Sequence, residues 1–183
     1  MRILIFEGIA TSGKSTIIDG LRRALPTAKV EIASEADTHV PITKETTDKH
    51  IEFFEKLIDK FISKRPDLLI FDRLYLTQAF RAKTSIKDYP EIEKLLIGYP
   101  TTTIFLKVDE VAIESRISKA AAHRGSDYFR SRGETKEEIA QYYINQQRNI
   151  LELLEQSIVP NRIFDTTHDN YDEIVQEILK STK

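Results

Sequence analysis

The 183-residue chain has no cysteine, which excludes disulfides and thiolate metal sites. It also has no excess of either charge: 27 basic and 29 acidic residues leave a formal net charge of −2, and so no basic field for a nucleic-acid backbone. Apolar runs are short. The N-terminal one, Ile3-Leu4-Ile5-Phe6, stops at Glu7, far short of a secretory core or a membrane span, and no later stretch approaches twenty residues. Internal repeats, low-complexity tracts and Pro/Gly-rich linkers are missing too. These absences set the expectation of one ordinary domain over 1–183, in the cytoplasm, with no membrane or nucleic-acid polymer as partner.

What is present alternates. Short apolar runs predict strands over Arg2 to Glu7, Lys29 to Ala33, Asp67 to Asp72, Thr102 to Val108 and Arg162 to Asp165. Helical spacing fills the gaps. One helix begins at Lys14, a second runs through Ile51, Phe54, Leu57, Ile58 and Phe61, and a third through Ile113, Ile117 and Ala120. A long fourth spans roughly Thr135 to Ser157. The pattern is that of a parallel sheet covered on both faces. His123 to Gly133, polar and carrying Arg124, Arg130 and Arg132, reads as a mobile loop over the face of the sheet. The four histidines lack metal-ligand spacing and read as surface residues.

Gly8-Ile9-Ala10-Thr11-Ser12-Gly13-Lys14-Ser15 matches G-x-x-x-x-G-K-S/T at every fixed position, between a predicted strand and a predicted helix. Gly8 and Gly13 let the backbone curl so that the amides of Ala10, Thr11 and Ser12 face a phosphate. The helix start adds partial positive charge. Lys14 would bridge the β- and γ-phosphates of a bound nucleotide, Ser15 would ligate Mg²⁺, and Thr16 would reach the α-phosphate. The third strand delivers Asp72 to its C-terminal end, where an acid can hold Mg²⁺ or accept a proton. Arg73 beside it offers a fork suited to phosphate. The expected fold is therefore α/β, of the P-loop NTPase type. Three layers are expected, with a five-stranded parallel sheet and a helical lid at about 121–134.

The segment Phe6 to Thr16 resembles the opening of thymidylate kinases, F-E-G-x-D-G-x-G-K-S-T, with Ala10-Thr11 where that family has Asp-Gly. Asp72-Arg73-Leu74-Tyr75-Leu76-Thr77-Gln78-Ala79-Phe80 resembles their D-R-x-x-x-S-x-x-A-Y segment, one residue shorter. Arg116 and Arg124-Gly125-Ser126-Asp127 look like the arginine before their lid and the lid itself. Phe164-Asp165-Thr166-Thr167 sits where their last strand meets its loop. The resemblance implies an ATP- and Mg²⁺-dependent kinase, with Arg116 and Thr166 near adenine and Arg73 on the acceptor or transferring phosphate. It implies a catalytic lid arginine among Arg124, Arg130 and Arg132, because the loop itself has none. After the second strand the chain departs from the family: Ser34-Glu35-Ala36-Asp37 replaces R-E-P-G-G. Glu35 then becomes a candidate for the acceptor, with Phe53 and Phe80 for stacking its base.

The acceptor favoured by this reading is a small-molecule (deoxy)nucleoside monophosphate, seated by Arg73 with Lys44 or Arg81. A nucleoside, or another small alcohol, stays open as the acceptor, as does a homodimer. A nucleotide-dependent switch is the alternative class, although the N-K-x-D element of a GTPase is missing.

Overall fold

The computed structural model describes residues 1–40, 47–124 and 127–181, excepting the side chains of 123–128. Lys44 and the side chain of Arg124 thus lie outside the described residues. The strands are β1 (Arg2–Glu7), β2 (Val30–Ala33), β3 (Leu68–Asp72), β4 (Thr101–Lys107) and β5 (Asn161–Asp165). The helices are α1 (Lys14–Ala24), α2 (Glu35–Thr38), α3 (Thr47–Ile62), α4 (Tyr75–Ala82), α5 (Pro90–Ile97), α6 (Glu110–Arg124), α7 (Asp127–Arg130), α8 (Lys136–Gln156) and α9 (Tyr171–Ser181). All strand pairs are parallel, in the order β2-β3-β1-β4-β5.

Strand alternation divides the core between two faces. Ile3, Ile5, Leu69, Phe71 and Phe105 point to one side, where Phe54, Ile58, Leu76, Ile92 and Ile150 of α3, α4, α5 and α8 cover them. Leu4, Phe6, Ile70, Ile104 and Leu106 point to the other, under Ile17 and Leu21 of α1 and Ile174 and Ile178 of α9. Residues 3–6 of β1 are buried on both faces, so an unbroken apolar run fits the central strand. The register pairs Phe6 with Asp72, which sets the loops leaving β1 and β3 side by side at the point where strand order reverses. Among the described residues no helix is long and apolar enough to cross a membrane.

Two readings need correction. The segment after His123 is not wholly polar loop: α7 forms in it, and Phe129, 2% exposed, packs with Ile9, Ile113, Ile117, Ile139 and Tyr143. Its aromatic ring ties the segment to the phosphate loop's own apolar floor, Ile9 and Ala10. His50 is not on the surface but buried on α3, whose apolar stripe through Phe54, Leu57 and Ile58 carries it inward.

Candidate active site

Gly13 shows why the phosphate loop needs glycine. Its φ is 88°, and a Cβ there would lie 2.1 Å from Cε1 of Tyr171, the residue that opens α9 and covers the loop. Ala10, Thr11, Gly13, Lys14, Ser15, Thr16, Glu35, Asp72, Arg73 and Tyr171 surround a cavity of about 250 Å³. Lys14 is 7% exposed, and its Nζ donates to the carbonyls of Gly8 (3.1 Å) and Ile9 (2.9 Å). Burial, reinforced by the nearby charge of Arg73, lowers its pKa to about 7. This lysine is therefore part of the packed loop itself.

The sign of that shift leads to a measurable result. Between pH 7 and 10.5 the folded protein holds fewer protons on Lys14 than the unfolded chain, so this group makes stability rise with pH across that window. A nucleotide polyanion beside Nζ reverses the balance by favouring the ammonium form. Binding of ADP at about pH 8 is therefore expected to take up close to one proton. Calorimetry in two buffers of different ionisation enthalpy reads this uptake; identical enthalpies in both would refute it.

Asp72 is half-buried, and burial raises its carboxyl pKa while Lys14 and Arg73 pull it back. Its Oδ1, together with Ser12 Oγ and Thr11 Oγ1, is shielded from solvent with no hydrogen-bond partner among the described residues. Orphaned oxygens around a cradle of curled backbone suit a metal-bound polyphosphate. The residues present thus fit Mg²⁺ and ATP.

Arg73 does not pair with the adjacent Asp72. It is 5% exposed, its Nε lies 3.0 Å from Glu35 Oε1, and its Nη1 donates to the Gly8 carbonyl at 2.7 Å. Its φ of 70° places a non-glycine residue in the left-handed region, a strain of about 1–3 kcal/mol that the surrounding bonds must hold. Glu35 also takes Arg81 Nη2 at 2.9 Å. Its partial burial would raise its pKa, but Arg73, Lys14 and the bond from Arg81 bring it down to about 2.

Glu35, Arg73 and Arg81 join Arg132, Tyr142 and Gln146 around a small gap of about 40 Å³. Beyond it opens a cavity of about 780 Å³, lined among others by His39, Phe80, Arg81, Lys83, Arg132 and Tyr142. Phe80 meets Tyr142 edge-on at 5.8 Å, and the Arg132 guanidinium lies 5.1 Å from the Tyr142 ring centre. Phe53 packs against the core and lines none of the described cavities. Arg130 is exposed and lines none either.

On the opposite side a cavity of about 490 Å³ lies between α6 and the loop after β5, reached by Thr11, Thr16, Arg116, Lys119 and Tyr171. Arg116 donates to the carbonyls of Thr11 (2.9 Å) and Thr167 (3.2 Å), to that of Thr166 and to the Asp169 carboxylate. It clamps the phosphate loop to the last loop. The Thr166 hydroxyl turns away, donating to the Lys107 carbonyl at 3.1 Å, so Thr166 meets this side through its backbone.

Sequence reasoning missed Tyr171, Arg81 as the second partner of Glu35, and Gln146, which is 3% exposed at the small gap with no partner for its Oε1 among the described residues. Each is brought in from a distant element, and no local pattern marks it.

No protein-family model and no curated protein matches the chain. Solved structures do. The YorR protein from Bacillus subtilis, in complex with phosphorylated GDP, is 22% identical over 98% of this chain and 95% of its own, with a TM-score of 0.68. Polyphosphate kinase 2 from Arthrobacter aurescens TC1 is 16% identical over 99% of this chain and 67% of its own, at 0.67. Deoxyadenosine kinase from M. mycoides, with product dCMP and a flexible dCDP bound, is 19% identical over 98% of this chain and all of its own, at 0.56. At these identities the likeness is one of architecture: the chain has the five-stranded α/β fold of the P-loop kinases.

Proposed function

We propose that the chain transfers the γ-phosphoryl group of ATP to a small nucleotide acceptor, a (deoxy)nucleoside monophosphate. The observation that carries the acceptor is the charge of the cavity of about 780 Å³. Arg81, Lys83 and Arg132 line it, and none of its described lining residues is acidic. Such a lining suits an anionic guest. ATP would lie along the phosphate loop with its base toward Arg116, and Ser15 and Asp72 would hold Mg²⁺. The metal, when bound, neutralises charge on the phosphates. Lys14 stabilises the transferring group from the donor side. Arg132 would do so from the other as the lid arginine, with the 121–134 segment as the lid; its position at the small gap between the two cavities supports this role.

Glu35 bears on the alternative acceptor, a nucleoside hydroxyl that needs a base. A carboxylate held at about 2 by Arg73, Lys14 and Arg81 takes a proton poorly, which favours an acceptor arriving already ionised. The test is ATP consumption against nucleosides, their monophosphates and small alcohols. Monophosphates are expected to exceed nucleosides by about tenfold or more in kcat/KM, and Arg132→Ala to raise the acceptor KM by about tenfold, the value of one charge-assisted contact. Efficient nucleoside phosphorylation with monophosphates ignored would overturn the acceptor. ATP turnover indifferent to every acceptor would favour a switch instead.

A further inference from the structure

Glu7 closes β1 with no exposure to solvent, one residue ahead of the phosphate loop. Burial raises its pKa, outweighing the Thr77 hydroxyl and the charge of Arg73. A carboxylate taken so completely from water is costly unless donors surround it. Its donors among the described residues all belong to the junction between β3 and the first turn of α4. Oε1 accepts from the amides of Leu74 (3.0 Å) and Thr77 (3.3 Å), and Oε2 accepts from the Thr77 hydroxyl. Leu74, at the N-cap of α4, makes no side-chain cap bond, so the first turn of that helix is capped from another strand.

The neighbours of Glu7 hold the rest of the junction. The Phe6 carbonyl accepts from the Arg73 amide at 2.9 Å, and the Gly8 carbonyl accepts from Arg73 Nη1 at 2.7 Å. Phe6, Glu7 and Gly8 together clasp the strained segment that carries Asp72 and Arg73. Thr77 gives the clasp a direction. Arg73 Nη1 donates to the Thr77 hydroxyl oxygen, 3.4 Å away, and the Leu74 and Thr77 amides converge on the carboxyl, so the Thr77 hydroxyl gives its own proton to Glu7 and keeps its lone pairs toward Arg73.

We propose that Glu7 is a positioning residue for phosphoryl transfer, capping α4 from β1 and orienting Thr77 so that the Arg73 guanidinium stays aimed at the phosphate loop. The proposal rests on the kinase reading. Glu7 touches no substrate in this role; it acts through Thr77 and Arg73.

Glu7→Gln keeps the shape and one carbonyl oxygen for the two amides, but its NH₂ donates to Thr77 and turns that hydroxyl's proton toward Arg73. With ADP affinity within about threefold of wild type, kcat is expected to fall by about tenfold or more. Thr77→Val is expected to fall similarly, the double variant about no further than the worse single, and Thr77→Ser to recover to within about threefold. A Glu7→Gln enzyme that melts earlier yet keeps kcat within about twofold would reduce Glu7 to a folding role and overturn the proposal. Amide exchange needs no turnover. In Glu7→Ala the Leu74 and Thr77 amides are expected to exchange about tenfold faster or more, and unchanged rates would refute the clasp. If the wild-type protein phosphorylates nothing, the kinase reading falls and the exchange rates alone judge the clasp.

Discussion

Replacing Lys14 with alanine is expected to cut phosphoryl transfer by about 10³-fold or more, the scale seen when a charge-stabilising donor is lost from a preorganised site. No other described cation is placed to take over. Arg73 is committed to Glu35 and the Gly8 carbonyl, and Arg116 to the backbone of Thr11, Thr166 and Thr167. Arg132 stands beyond the small gap on the acceptor side. ADP affinity should fall less than turnover, because the loop amides and the start of α1 still face the phosphates. Stability has two opposed contributions. Alanine loses the bonds to the Gly8 and Ile9 carbonyls, but it also removes an ammonium whose burial lowers its pKa to about 7. The net change is expected within about 1 kcal/mol. Turnover, ADP titration and a melting curve on the same preparation check all three. A well-folded variant with ordinary turnover would sink the reading of the whole site.

The parts legible in the sequence were those that local chemistry dictates. The β1 run needs no alternation because both its faces are covered, and its apolar residues with the glycine-rich loop after it announce strand, turn and helix start in one stretch. The helix expected from about Thr135 was equally local, and the structure shows what starts it: the Thr135 hydroxyl accepts from the Glu138 amide while Glu138 reaches back. What escaped was set by topology. Nothing near Glu35 says that Arg73 and Arg81 will converge on it, since that meeting needs β2 paired with β3 and α4 folded back across the strand ends. Tyr171 reaches Gly13 only once β5 has been laid at the sheet edge and α9 packed against α1. Phe129 did leave a local signal: an aromatic pair, Tyr128-Phe129, stands in an otherwise polar stretch, and a ring there has more to gain from burial than the charges around it.

Arg73→Lys is expected to lower kcat by about two orders of magnitude although the charge is conserved. Arg73 holds two partners on different sides, Glu35 through Nε and the Gly8 carbonyl through Nη1. An ammonium at the end of a flexible stem can satisfy one of them, and it loses the planar geometry that fixes the spacing between the two. If the lysine stays with Glu35, the phosphate loop loses its tie to β3. If it follows the Gly8 carbonyl, Glu35 keeps only Arg81, and the boundary between the donor and acceptor cavities shifts. On sequence grounds alone Arg73 belongs to the acceptor or the transferring phosphate, and the ATP KM should move little. The contact with Gly8 changes that expectation: the acceptor KM should rise by about tenfold and the ATP KM by about threefold. The φ of 70° at position 73 strains lysine no more than arginine, so the substitution adds no new backbone strain and folding is expected to survive. Steady-state kinetics with each substrate varied in turn separates the effects. An acceptor KM and kcat both within about twofold of wild type would show that any cation suffices at this position, and would remove Arg73 from the catalytic set.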